Sequence, residues 1–252
     1  MVVTARPMPG FGRTLARLFS FQAAWSYERM GGIGFAHSIE PALRALEGGP
    51  EGVAYRQAIA RQASFFNAHP YFAALAVGAA ARAELEGTAP EKIMRLREAL
   101  CGPLGSVGDR LIWAAWLPAC VAVGLILAAL GAGLWAALAF LALYNVVHVY
   151  SRVWALRAGW SRGLQVAGAL TAPGLRVANM AAPPLAALLV GTALPLSFGW
   201  QLRGSPWPAF LAAGAGAAVL VVAVRLVETK ANGAVLAALL LAGVWVAGLL
   251  WW

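Results

Sequence analysis

The chain has 252 residues, of which 61% are hydrophobic and 12% charged, and its mean hydropathy is +0.72. A soluble domain is about half apolar and a quarter charged, so this composition excludes a simple water-soluble enzyme, a disordered protein and a disulfide scaffold. The excess of 19 basic over 10 acidic residues indicates orientation in an anionic bilayer rather than nucleic-acid binding, and the two cysteines give no metal-ligand cluster.

The distribution of charge predicts two regions, 1–110 and 111–252. Residues 1–110 hold 12 basic and 9 acidic residues, whereas the rest of the chain holds seven basic residues and one acid, Glu228. Within the first region, residues 11–46 and 55–85 show apolar residues at helical spacing, which predicts amphipathic helices at a cytoplasmic or interfacial position. A short solvated helix is expected over 92–100, and the glycines of Gly102–Asp109 favour a re-entrant turn.

The second region predicts about five membrane-embedded helical segments. Charge-free stretches, each long enough to span a bilayer, place them near 112–130, 133–150, 178–200, 206–226 and 233–252. The first two are expected to meet at a turn over Gly131–Gly133. Prolines inside the stretches suggest that some segments are broken or re-entrant. The predicted fold is therefore an all-α polytopic membrane protein with an amphipathic N-terminal region.

Basic residues also predict the orientation of the chain in the membrane. They are dense before the first span and in the expected loop after the second, where they include Arg152, Arg157 and Arg162. The positive-inside rule then places the N-terminus in the cytoplasm and the C-terminus outside. Residues 1–20 have no continuous apolar core, so no cleavable signal peptide is expected.

Four segments fit no simple packing pattern. They are Trp25–Phe35 (WSYERMGGIGF), Phe65–Tyr71 (FFNAHPY), Gly102–Asp109 (GPLGSVGD), and the pair Tyr144-Asn145 with the later stretch Gly159–Gly163. The first three resemble, in order and spacing, the W-N-Y-E-R-M, E-F-F-N-T-H-P and G-P-L-A-G-V-G-D stretches of the IID component of the mannose/fructose/sorbose family of the bacterial sugar phosphotransferase system (PTS).

The resemblance implies a permease subunit in the bacterial cytoplasmic (inner) membrane, without a phosphoryl-transfer site of its own, and hence no enzyme by itself and no cofactor. IID pairs with the membrane subunit IIC to translocate a hexose, in a trimeric assembly of IIC–IID units. Soluble IIA and IIB proteins carry the phosphate and pass it to the sugar. No nucleic acid is implied as a partner.

Six residues are candidates for the substrate path or for the IIC interface: Glu28, Arg29, Asn67, His69, Gly108 and Asp109. Asparagine and histidine can exchange hydrogen bonds with sugar hydroxyls, although a capping or tertiary hydrogen bond is an equally ordinary role. Asp109 is either a polar group of the path or an acid favoured by a helix start. Glu28 and Arg29 are neighbours that would diverge on a helix, so each is expected to pair elsewhere, either across the IIC interface or in a salt bridge at the cytoplasmic face. His148 and Asn145 are expected to snorkel toward the interface.

Two departures from the family pattern support an alternative function. Ser64 replaces the glutamate of the second motif, and Leu117 stands where members often have an arginine before Pro118. The alternative is a non-transporting scaffold or regulatory descendant in an incomplete phosphotransferase system.

Overall fold

The computed structural model describes residues 7–199, which form helices joined by short loops, with no β-strand among them. The α-helices are α1 Phe11–Leu18, α2 Gly32–Leu43, α3 Val53–Gln62, α4 Ala73–Leu85, α5 Pro90–Gly108, α6 Leu117–Ala129, α7 Leu134–Arg162 and α8 Pro173–Gly199. A π-helix, Asp109–Trp116, joins α5 to α6, and a 3-10 helix, Gly163–Ala169, follows α7. The all-α prediction is confirmed.

The described residues divide by their contacts into two compact units. Of the described residues, unit 1 comprises 7–113 together with Tyr144–Asn179. Unit 2 comprises Ala114–Leu143 together with 180–199. The boundary predicted at residue 110 divides a cytoplasmic or interfacial region from a transmembrane region. The two units are defined by contacts instead, so they do not test that boundary, which stays a prediction.

Helix α4 lies at the centre of unit 1, because its small side chains allow close packing. Every residue from Ala73 to Ala81 is buried. A Cβ atom on Gly78 would lie 2.7 Å from the backbone nitrogen of Trp160, and one on Gly159 would lie 3.0 Å from that of Ala79. Glycine at these two positions therefore lets the backbones of α4 and α7 touch.

The predicted amphipathic segments are each divided into two helices. Residues 11–46 contain α1 and α2, and residues 55–85 contain α3 and α4. The second division includes His69-Pro70, where the sequence predicted a break, since α3 ends at Gln62 and α4 begins at Ala73. A residue before proline is disfavoured in the helical region, which is the local reason for this break.

The helix predicted over 92–100 is present but is longer than predicted, and the turn predicted over Gly102–Asp109 is wrong. Helix α5 runs through both segments, and the helical stretch continues to Ala129. The reason is periodicity: the buried residues of α5 recur at the spacing of one helix face, namely Ile93, Arg97, Leu100, Leu104 and Gly108. Gly102 and Gly105 have open space around them, so there they are tolerated within the helix and mark no turn.

Three helical stretches of the described chain are long and apolar enough to cross a membrane: Pro90–Ala129, Leu134–Ala169 and Pro173–Leu194. They correspond to the first three predicted segments, and the segments at 206–226 and 233–252 lie outside the described residues. The predicted turn between the first two is confirmed, with Gly131 and Gly133 at φ 84° and 54°. The loop predicted to follow the second segment and to carry Arg152 and Arg157 is wrong, since α7 continues to Arg162 and contains both residues.

Candidate functional site

The first two sequence motifs form one folded turn in unit 1. Ser26 and Met30 exchange backbone hydrogen bonds across the turn, and Met30 adopts a left-handed conformation with φ 50°. The N–H of Gly31 donates to the carbonyl of Phe66 at 2.9 Å, and the N–H of Phe66 donates to the carbonyl of Arg29 at 3.3 Å. The backbone itself therefore joins the two motifs, although they lie more than 30 residues apart in the chain.

The third motif packs against the histidine of the second. His69 is 1% exposed, and its Nδ1 accepts a hydrogen bond from the N–H of Tyr71 at 3.3 Å. A Cβ atom on Gly108 would lie 2.8 Å from that Nδ1, so only glycine fits beside the ring. Trp113, within the π-helix, lies 4.7 Å from the imidazole between ring centroids. Burial and the nearby charge of Arg152 lower the pKa of His69 to about 4, which keeps the imidazole neutral at neutral pH.

The fourth motif joins this site through α7. The hydroxyls of Tyr71 and Tyr144 lie 2.5 Å apart, and the ring of His148 stacks on Tyr71 at 4.3 Å. The guanidinium carbon of Arg152 lies 4.2 Å from the centroid of the Tyr71 ring, and Arg152 Nε donates to the carbonyl of Leu18 at 3.2 Å. We call the following set the Tyr71 cluster: His69, Tyr71, Trp113, Tyr144, His148 and Arg152.

A second buried arginine forms hydrogen bonds with the backbone just before the second motif. Arg97 is 1% exposed and donates to the carbonyls of Arg61 and Gln62, the last residues of α3, at 2.8 and 3.1 Å. It also donates to the hydroxyl and the carbonyl of Ser64, and its guanidinium lies 4.6 Å from the centre of the Phe35 ring. Ser64, which replaces the family's glutamate, is thus a hydrogen-bond acceptor for this arginine.

The structure brings together only part of the predicted site. His69 and Gly108 are buried against each other, whereas Asn67 and Asp109 are exposed. The side chain of Glu28 is 83% exposed, and its Oε1 lies 4.0 Å from Arg29 Nε. The two residues lie in a turn and not on a helix, so the divergence expected of helical neighbours does not apply to them. Their roles, like those of the other four residues, stay predictions.

Sequence reasoning missed most of the Tyr71 cluster. His148 does not snorkel, because its ring stacks on Tyr71, and Arg152 is 3% exposed within α7. A signal was available: Tyr144, His148 and Arg152 recur every four residues, which places polar groups on one face of an apolar helix. Because the predicted segment ended near 150, Arg152 was assigned to a loop and the pattern was not recognised. Residues 7–199 contain no group of three histidine, cysteine or acidic side chains that could hold a metal ion.

Comparisons with known proteins decide the family. A sequence profile of the PTS system mannose/fructose/sorbose family IID component matches residues 11–196. The chain belongs to this family. The mannose-specific EIID component of Escherichia coli K12 is 36% identical over 155 residues, which cover 58% of this chain and 53% of that protein. The fructose permease IID component of Bacillus subtilis is 28% identical over 148 residues, covering 57% and 53%. The chain thus matches about half the length of these relatives.

Solved structures support the fold of this IID chain. It is similar to a chain in the structure of the mannose transporter ManYZ with microcin E492, with a TM-score of 0.59, 23% identity and coverage of 97% of this chain and 95% of that one. A second structure, described as a membrane protein, gives a TM-score of 0.67 at 24% identity, covering 96% and 95%. The resemblance inferred from the three motifs is confirmed, and the chain is a membrane component of the phosphotransferase system.

Proposed function

We propose that the chain is the IID subunit of a sugar permease, which acts with a IIC subunit to translocate a hexose that IIA and IIB phosphorylate during uptake. The observation that carries the proposal is the gathering of all the family motifs in unit 1, where Gly31 bonds to Phe66 and Gly108 packs on His69. Motifs that cooperate in one packed site indicate a shared role.

The proposal includes the surroundings of the subunit. IIC and the bilayer cover the apolar surface of its helices, and IIC–IID units associate as trimers. The N-terminus lies in the cytoplasm, where IIA and IIB are, and the C-terminus lies outside. The positive-inside pattern of arginine and lysine supports this orientation, and family membership supports the partners.

Uptake of radiolabelled hexoses tests the proposal. A host without its own mannose-family transporter expresses IIC, IIA and IIB proteins of this family with or without this chain. We expect uptake of at least one hexose only when the chain is present. A complex that assembles with IIC but does not change uptake would contradict transport and favour the scaffold alternative. In the same assay, Asp109→Asn tests the site: unchanged uptake would remove Asp109 from the substrate path.

A further inference from the structure

Three buried polar atoms without a hydrogen-bond partner lie in the Tyr71 cluster. They are His69 Nε2, His148 Nε2 and Arg152 Nη1. His69 and Arg152 are 1% and 3% exposed, and within residues 7–199 no carboxylate forms an ion pair with Arg152. A buried polar group that lacks a partner costs about 1–3 kcal/mol, so such groups are rarely kept without a reason.

The atoms of His69 and Arg152 are hydrogen-bond donors. Because His69 Nδ1 accepts from the N–H of Tyr71, the single hydrogen of the neutral imidazole lies on Nε2. A guanidinium has only donors. The cluster therefore contains two side-chain hydrogen-bond donors, His69 Nε2 and Arg152 Nη1, that lack an acceptor.

The cluster also has a side that reaches the surface of unit 1. Phe19, whose ring lies 5.1 Å from the guanidinium carbon of Arg152, is 45% exposed, and Trp113 is 46% exposed. Tyr144 and His148 are partly exposed. Small-molecule sites are typically lined by aromatic side chains with a few polar groups that fix the ligand. Hydrogen-bond donors beside aromatic rings suit a sugar, because its hydroxyl oxygens accept hydrogen bonds.

We propose that the Tyr71 cluster is the closed form of a sugar-binding site within IID, in which sugar hydroxyl oxygens accept hydrogen bonds from His69 Nε2 and Arg152 Nη1. Both donor atoms are buried, so we take the contact between the Tyr71 and Tyr144 hydroxyls as the one that opens when the sugar binds. This inference rests on the proposed transport function and adds a second place, besides IIC, where the sugar is held.

Acylation of histidine by diethyl pyrocarbonate tests the site in the wild-type complex with IIC. The chain has three histidines, and His37, which is exposed, is an internal control. Mass spectrometry follows each site with mannose, fructose or sorbose, the sugars in the relatives' names, and with L-glucose as a control. We expect His37 to react quickly under all conditions. His69 reacts slowly, and about fivefold more slowly still with a transported sugar.

Two results would overturn the proposal and leave transport intact. One is uptake that depends on the chain although the sugar does not change the rate at which His69 is acylated. The other is a His69 that never reacts in a transporting complex. Absence of any dependence of uptake on the chain is instead a failure of the proposed function.

A matched pair of substitutions separates binding from packing. The amide nitrogen of glutamine reaches the place of Nε2, whereas that of asparagine reaches only the place of Nδ1. We expect His69→Asn to weaken equilibrium binding of the radiolabelled sugar about tenfold and His69→Gln less than about threefold. Tyr150→Phe, at an exposed position of α7, is the control. Equal losses in the pair would show a packing role only. If the asparagine variant does not assemble with IIC, the wild-type acylation rates decide.

Discussion

At the scale of single residues, unit 1 holds two buried arginines in the same way. Arg97 donates to the last carbonyls of α3, and Arg152 donates to the carbonyl of Leu18 at the end of α1. The negative end of a helix dipole favours a cation there. Aromatic rings cover the rest of each guanidinium, Phe35 over Arg97 and Tyr71 over Arg152. Both charges are thus stabilised without a bound carboxylate.

Substitution of Arg97 tests this arrangement. Arg97→Gln removes the charge and most of the donors, so the carbonyls of Gln62 and Ser64 lose the hydrogen bonds that Arg97 donates to them. We expect a decrease of about 1.5–3 kcal/mol in the free energy of unfolding, measured by circular dichroism of the complex in detergent. Arg95→Gln, at an exposed position of the same helix, should change it by less than about 0.5 kcal/mol. Equal effects would show that the contacts of Arg97 contribute little.

At the scale of helices, the crossing of α4 and α7 depends on two glycines. Each meets backbone atoms of the other helix, which cannot move without shifting the helix itself. The crossing places Tyr144, His148 and Arg152 against Tyr71. Its geometry therefore determines the Tyr71 cluster as well as the stability of unit 1.

Alanine at Gly78 is the direct test of the crossing. Its Cβ would meet the carbonyl oxygen of Leu156 and lie 2.7 Å from the nitrogen of Trp160. We expect Gly78→Ala to lower the melting temperature of the complex, with a loss of about 1–3 kcal/mol. Gly102→Ala is the matched control, because nothing lies within 4 Å of its Cβ in α5. It should be neutral or stabilising by up to about 1 kcal/mol. A neutral Gly78→Ala would contradict the close crossing.

At the scale of the whole molecule, the open prediction is the orientation in the membrane. Single cysteines at Leu130 and Thr171 report on two loops, in a background where Cys101 and Cys120 are alanine. Both positions are exposed. The positive-inside rule predicts that an impermeant maleimide labels Leu130→Cys in intact cells and labels Thr171→Cys only after the cells are opened. The reverse pattern would show that the N-terminus lies outside.

The membrane helices and the family follow from local features of the sequence. Charge-free stretches are a direct consequence of the cost of charge in lipid, so the turn at Gly131–Gly133 could be placed from them. The motifs WSYERM, FFNAHP and GPLGSVGD could be recognised in order. Helix ends were harder to place, because glycines near 102–108 look like a turn when their neighbours are unknown, and charged residues such as Arg152 look like a loop.

The sequence alone determined that the chain is helical, apolar and related to IID, because these properties depend on composition, periodicity and ordered motifs. Only the tertiary structure decided that His69 lies against Gly108, that Arg152 is buried on Tyr71, and that the side chain of Asp109 is exposed. These contacts join residues that are distant in the chain, and the burial of each residue depends on which side chains the other helices place beside it. Hydropathy reports only the cost of burying a charge and says nothing of the rings and carbonyls that offset that cost.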